Sequence, residues 1–172
     1  EYLWLFKYYG SKFKNIANLS NLKMLYLNSP KIDTIEGVGS LKKLKEFRII
    51  SRKLKTLEHI GGANNIEHLI VQECKNIPDI DVLGNLVKLK FLVIDVGDIP
   101  SLTPISVCKD LEHLALAGST NVLDGDLAFL KDMPKLKKVI MANRKHYSHT
   151  TKDFPAPERK GIPWPEKYPL HF

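Results

Sequence analysis

The chain has 172 residues, of which 44% are hydrophobic and 26% are charged, and its formal net charge is +7 at pH 7. This composition is typical of a folded domain and excludes an intrinsically disordered chain. No apolar run approaches the length of about 18 residues that a transmembrane helix needs, so we predict no membrane-spanning segment.

Short apolar triplets recur along the chain at intervals of about 22 residues. In a β-strand, alternate side chains point to opposite faces, so the first and third residues of each triplet are predicted to enter a core. The second residue of each triplet then faces the other side of the sheet. The triplets begin at Leu3, Leu25, Phe47, Leu69, Leu92, Leu114 and Val139.

Between the triplets, apolar residues recur at every third position, which predicts a turn or a short helix behind each strand. These core columns are Phe13, Ile16, Leu19 and Leu22 after the first triplet, and Ile35, Val38, Leu41 and Leu44 after the second. Units of this length cannot bury their own apolar faces and must stack on one another.

This pattern resembles the short leucine-rich repeats of bacterial and signalling proteins. The resemblance implies an α/β fold, a right-handed solenoid of about seven rungs over residues 1–142. Its parallel sheet would line the concave face, with short helices, 3-10 turns or loops on the convex face. One departure concerns the inward Asn of the family, because only Cys74 suits that position. The Asn would otherwise fall at Tyr8, Pro30, Arg52, Gly97, Ser119 and Arg144. We expect water or local turns to satisfy the buried turn backbone there instead.

The two ends of the chain depart from the repeat. The sequence begins in mid-pattern, so we expect an N-terminal cap to be absent or truncated. Residues 143–172 lose the periodicity, and we predict that they form an irregular cap of the same domain, with a partner-binding tail as the alternative. They contain five prolines and the aromatic residues Tyr147, Phe154, Trp164, Tyr168 and Phe172.

The sequence offers no arrangement of residues typical of catalysis, so we predict neither enzymatic activity nor a cofactor or metal site. His146 and His149 have a spacing that could hold a metal, but no second pair of ligands accompanies them. Cys74 and Cys108 occupy different columns of the repeat, which argues against a disulfide. Two buried free thiols favour a reducing compartment, and we therefore predict a cytoplasmic protein.

The predicted concave face is unusually aromatic and apolar for a surface open to water. Trp, Tyr and Arg are enriched at interaction hot spots, so we predict that this face binds a partner. The candidate contact residues are Trp4, Phe6, Met24, Tyr26, Arg48, Ile50, His68, Ile70, Phe91, Val93 and Asp95. The alternative is that an N-terminal cap or the C-terminal segment covers part of the face.

These observations favour a non-catalytic module that binds a protein. The resemblance to small bacterial leucine-rich repeat proteins suggests a narrower hypothesis, an immunity or antitoxin protein that neutralises a toxin. The alternative is binding of nucleic acid or an acidic surface through the scattered basic residues. Nucleic acid is less favoured, because the central row of the concave face carries a single arginine, Arg48, among apolar and aromatic residues.

Overall fold

The structure is a computed structural model that describes residues 1–10 and 16–155. The described residues contain short β-strands that alternate with 3-10 turns of three to five residues. The strands are β1 (Tyr2–Leu5), β2 (Met24–Asn28), β3 (Glu46–Ile50), β4 (His68–Cys74), β5 (Phe91–Val96), β6 (Asp98–Ile99), β7 (His113–Leu116), β8 (Asn121–Val122) and β9 (Lys138–Met141). The 3-10 turns are Ile16–Asn18, Val38–Ser40, Glu58–Ile60, Asp81–Asn85, Thr103–Val107, Ala128–Asp132 and Thr151–Asp153.

Seven of the strands form one parallel sheet in the order β1-β2-β3-β4-β5-β7-β9. Each of these strands belongs to one repeat, so the sheet is a stack of rungs in chain order. The second residues of the triplets are in register across the sheet. This central row is Trp4, Tyr26, Arg48, Ile70, Val93, Ala115 and Ile140. The predicted solenoid is confirmed, with 3-10 turns as the helical elements behind its strands.

The core lies behind the sheet and is built from the predicted columns. In the second repeat, Ile35, Val38, Leu41 and Leu44 are all fully buried. The prediction that Leu19 belongs to the core is wrong. Leu19 occupies the same column as Leu41 and yet is 38% exposed. The first rung packs against described residues on one side only, so Leu19 lacks part of the contact that buries Leu41. Phe13 lies outside the described residues.

Hydroxyl side chains mostly take the place of the missing Asn, and several lie one residue away from the positions where the Asn would fall. Ser119, at one of those positions, donates its Oγ to Val96 O at 3.3 Å. Ser29 Oγ donates to the carbonyl of Tyr8 (2.5 Å), and Ser51 Oγ donates to the carbonyl of Ile32 (2.6 Å). Thr120 repeats this role near the other end of the stack. Its Oγ1 donates to Ile94 O and accepts from Val96 N, both at 3.0 Å. Side chains therefore satisfy much of the buried turn backbone.

Both cysteines are buried and free. Cys74 Sγ donates to the carbonyl of Gln72 at 3.1 Å, and Cys108 lies in a core column. Burial raises the pKa of each thiol to about 11. Neither thiol is therefore an activated nucleophile at neutral pH.

Residues 143–155 pack over the last rung. Tyr147 and Phe154 are 8% and 6% exposed and join the core. Tyr147 Oη accepts a hydrogen bond from Val122 N (3.0 Å), and Ser148 N donates to Gly125 O (2.8 Å). The rest of the predicted cap, including Trp164, Tyr168 and Phe172, lies outside the described residues. Among the described residues, no helix combines the length and apolarity needed to cross a bilayer.

Candidate protein-binding face

The concave face consists of the strand side chains that point away from the core. The pleat places alternate residues of each strand on this side, and parallel stacking aligns them into rows. One row holds Trp4, Tyr26 and Arg48, and a neighbouring row holds Met24 and His68. The predicted contact residues of the strands are thereby gathered on one side of the sheet.

An aromatic cluster occupies the N-terminal end of this face. The rings of Trp4 and Phe6 are stacked with centroids 6.2 Å apart, and the Tyr26 ring lies 5.5 Å from Trp4 and 4.8 Å from Phe6. The Arg48 guanidinium lies over the Tyr26 ring at 5.0 Å. Phe6 remains 55% exposed, so this cluster presents apolar surface to solvent.

Arg48 is held in place from the next rung. Its Nη2 and Nε donate to Gln72 Oε1 at 2.8 and 3.2 Å. Burial lowers the pKa of Arg48, but arginine stays charged at any physiological pH. The result is an oriented guanidinium stacked on an aromatic ring. Gln72 is a positioning residue that the sequence did not single out, because the hydrogen bond joins two different rungs.

A second cluster continues along the middle of the sheet. It is made of Ile70, Phe91, Val93 and Ala115, each 4–5% exposed. Met24 and Tyr26 are 6% and 7% exposed. The interpretation of these side chains as open to water is therefore wrong. Neighbouring strands of a sheet lie about 4.8 Å apart, so large side chains in one row cover one another.

A shallow concavity of about 370 Å³, a volume that includes space open to solvent, lies between the two clusters. Its lining mixes apolar and charged groups, namely Met24, Leu25, Tyr26, Glu46, Phe47, Arg48, His68, Ile70 and Phe91. Glu46 Oε2 and His68 Nδ1 are shielded from water and have no hydrogen-bond partner among the described residues. His68 Nδ1 is 3.9 Å from Glu46 Oε1, too far for a hydrogen bond between them. The hydrogen-bonding capacity of these two atoms beneath the concavity is therefore not satisfied by the described residues.

Asp95 has a different role from the predicted one. Its carboxylate accepts hydrogen bonds from Glu73 N (3.3 Å) and Ser119 N (3.2 Å) and also binds the Lys75 ammonium. Gly118 has a φ of +55° and an added Cβ would meet Asp95 Oδ1, so the turn is built around this carboxylate. Asp95 therefore stabilises the turns between rungs, and we no longer count it among the residues expected to contact a partner. Ile50 ends β3 and is partly buried.

The sequence matches no family model and no curated protein. Among solved structures, it is similar to internalin C2 from Listeria monocytogenes, with 26% identity and a TM-score of 0.73. That match covers 81% of this chain and 60% of the internalin. The chain is a leucine-rich repeat protein. A leucine-rich repeat protein from Leptospira interrogans has the same fold, with 21% identity and a TM-score of 0.63, over 83% of this chain and 37% of the other.

The leucine-rich repeat fold is typically a protein-interaction module, and its members are generally non-catalytic scaffolds. This chain spans less than two thirds of either solved structure. The arrangement of the concave face suits such a module chemically, because stacked aromatic rings that are partly exposed lie beside an oriented guanidinium.

Proposed function

We propose that this chain is a non-catalytic protein-binding module whose concave face contacts a protein partner. The observation that carries the proposal is the N-terminal aromatic cluster, in which Trp4, Phe6 and Tyr26 lie within 6.2 Å of one another beside Arg48. Trp, Tyr and Arg are the residue types that dominate binding energy at interfaces, and a prearranged cluster loses little side-chain entropy on binding.

The dimensions of the sheet support the same proposal. Seven strands at a spacing of about 4.8 Å give a face roughly 30 Å long. A face of that length and three side chains wide can bury about 800 Å² against one partner, which is the standard size of a specific interface. The exposed Phe6 ring and the oriented Arg48 guanidinium offer one apolar and one charged contact, which would favour a partner that is complementary to both.

The test is capture of partners from the source cell by immobilised protein, with three variants compared. Trp4→Ala/Phe6→Ala/Arg48→Glu alters the concave face, and Phe6→Asp does so at one position that is already 55% exposed. The matched control is Val87→Ala/Val107→Ala/Leu123→Ala, which removes exposed apolar side chains away from the sheet.

We expect a partner that wild type and control retain equally and that both concave variants lose at least tenfold. Circular dichroism of each variant verifies that it is folded. If the folded Phe6→Asp variant and the triple variant both retained every partner of the wild type, the concave-face proposal would be wrong.

Within this proposal, a toxin is the partner favoured by the resemblance to small bacterial leucine-rich repeat proteins, with this chain as its immunity protein. A captured partner should then arrest growth when expressed alone and should cease to do so when this chain is co-expressed. We also propose a cytoplasmic location, supported by the two unpaired cysteines. Cell fractionation measures this directly, and recovery outside the cytoplasm would contradict it.

A further inference from the structure

A row of lysines follows the edge of the sheet at which the strands begin. Lys23, Lys45 and Lys90 directly precede β2, β3 and β5. Their backbones belong to one hydrogen-bonded ladder, in which Lys45 N donates to Lys23 O, Glu67 N to Lys45 O and Lys90 N to Glu67 O, each at 2.8 Å. Stacking therefore brings together residues that are some 22 positions apart in the sequence.

A second row runs beside the first and is also basic. Lys43 Nζ donates to Asn21 Oδ1 (2.7 Å), and Lys88 Nζ donates to Asn65 Oδ1 (2.6 Å). These partners are neutral amides, so the hydrogen bonds orient the ammonium groups without cancelling their charge. Lys42 Nζ likewise donates to a backbone carbonyl, that of Gly62. The lysine edge is defined here as Lys23, Lys42, Lys43, Lys45, Lys88 and Lys90.

Among the described residues, one carboxylate forms ion pairs with these six lysines. Glu67 is shared, with Lys45 Nζ 2.9 Å from its Oε1 and Lys90 Nζ 2.7 Å from its Oε2. Glu1 occupies the equivalent position before β1, since Lys23 N donates to Glu1 O at 2.9 Å. Six lysines therefore stand against two carboxylates, which leaves a surplus of four positive charges. Among the described residues, Lys23 has no carboxylate partner.

The same edge is nearly neutral at the later rungs. Lys135 is bonded to Asp110 and Lys137 to Glu112, both at 2.6 Å. With Lys109, these rungs carry three lysines against two carboxylates. The positive surplus is thus concentrated on the second to fifth of the seven rungs and does not simply follow from the net charge of the chain.

We infer that the lysine edge is a second docking surface, separate from the concave face, and that it binds a carboxylate-rich segment of a protein. All of these lysines except Lys90 line an open depression of about 680 Å³, a volume that includes space open to solvent. The surplus spans four rungs, or about 15 Å, which is the length of about five residues of extended peptide.

The chemistry of the edge favours carboxylates over nucleic acid. Among the described residues that line the depression there is neither an arginine nor an aromatic side chain. Arginine provides bidentate phosphate contacts, and aromatic rings provide the base stacking on which single-strand binding depends. Lysine ammonium groups act as point charges, which suits the irregular positions of carboxylates on a peptide.

The experiment measures binding of a dye-labelled octa-aspartate peptide to the full chain by fluorescence anisotropy at low salt. The edge variant is Lys23→Gln/Lys43→Gln/Lys88→Gln. The matched control, Lys53→Gln/Lys55→Gln/Lys145→Gln, removes the same charge from exposed lysines elsewhere. A single-stranded DNA decamer and phosphatidylserine vesicles are measured in parallel as the competing partner classes.

We expect wild type and control to bind the peptide with equal affinity and the edge variant to bind at least tenfold more weakly. Peptide-induced amide shifts should localise to the edge. Equal loss in the edge and control variants, no binding by wild type, or tighter binding of DNA or vesicles would each overturn the inference. Phe6→Ser, which alters the concave face alone, should bind the peptide like wild type, so the two proposals can fail separately.

Discussion

The C-terminal and N-terminal ends of the described solenoid bury equivalent repeat positions to different extents. At the C-terminal end, residues 143–155 place Tyr147 and Phe154 on the last rung, where Met141 is 9% exposed. At the N-terminal end, Leu3 is half-buried and Leu19 is 38% exposed, although their counterparts in the second rung are fully buried. The same residue type in the same column is therefore core or surface according to what stacks on it.

The difference also locates the candidate anchors. The aromatic cluster of Trp4, Phe6 and Tyr26 lies at the N-terminal end, where exposure is highest, with Phe6 at 55%. The middle of the concave face is largely closed by its own side chains. We therefore expect the N-terminal end to carry most of the energy of partner binding.

The largest expected effect concerns the packing at the C-terminal end. Tyr147→Ala should lower the free energy of unfolding by about 4 kcal/mol, because it removes a buried ring and leaves Val122 N without its acceptor. Tyr9→Ala at the other end should change it by less than about 0.5 kcal/mol, since Tyr9 is 64% exposed. Urea unfolding measures both. Equal losses of unfolding free energy would mean that the two ends of the solenoid do not differ in how tightly their aromatic side chains are packed.

A smaller effect is expected within one column of the repeat. Leu41→Ala should cost about 3 kcal/mol, because its side chain is fully buried and a cavity remains. Leu19→Ala should cost less than about 1 kcal/mol, because a third of that side chain is already exposed to water. Thermal and urea unfolding of the two variants compare chemically identical changes. A larger loss for Leu19 would contradict the exposure difference between the rungs.

The smallest effect tests whether surface charge, as well as apolar burial, matters to stability. Hydrogen bonds from Lys90 and Lys45 lower the pKa of Glu67 from 4.5 to about 2. The carboxylate therefore stabilises the fold above its usual pKa, and this contribution is lost as the pH falls from about 4.5 towards 2. Because the ion pairs lie at the surface, we expect at most about 1 kcal/mol.

The measurement is the stability of wild type and Glu67→Gln in urea at pH 7 and pH 3. Wild type should lose more stability between these pH values than the variant, by up to about 1 kcal/mol. Glu36→Gln, at an exposed carboxylate with no ion pair among the described residues, should behave like wild type. An identical pH response in Glu67→Gln and wild type would show that the shared ion pair contributes nothing.

The strands and core columns could be predicted because each repeat encodes them locally. Leu25 and Leu27 enter the core, as strand alternation requires, and Leu41 lies in a column that spacing alone reveals. The side chains that replace the missing Asn could be located only in part, because turn geometry does not follow from spacing. The register between β4 and β5 shifts after Val71, where Glu73 has a φ of +55°, so that Cys74 pairs with Val96. The second and third turns use Ser29 and Ser51 instead.

The sequence predicted which residues lie on the concave face, but it did not predict how exposed their side chains are. Tyr26 and Ile70 do lie on the concave face, yet each is at most 7% exposed. Asp95 looked like a surface contact and instead joins three turns. In each case the neighbouring rung decides the environment of the side chain, and a single repeat contains no information about it.

Periodicity within the chain is enough to specify a leucine-rich solenoid, because an apolar residue repeated at a constant interval can be buried only by stacking equivalent units. Stacking itself then determines which side chains meet. Lys43 and Lys88 come from separate repeats and become parts of one basic edge, and Arg48 meets Gln72 across a rung boundary. These contacts depend on distances of a few ångström between distant segments, which only the three-dimensional arrangement supplies.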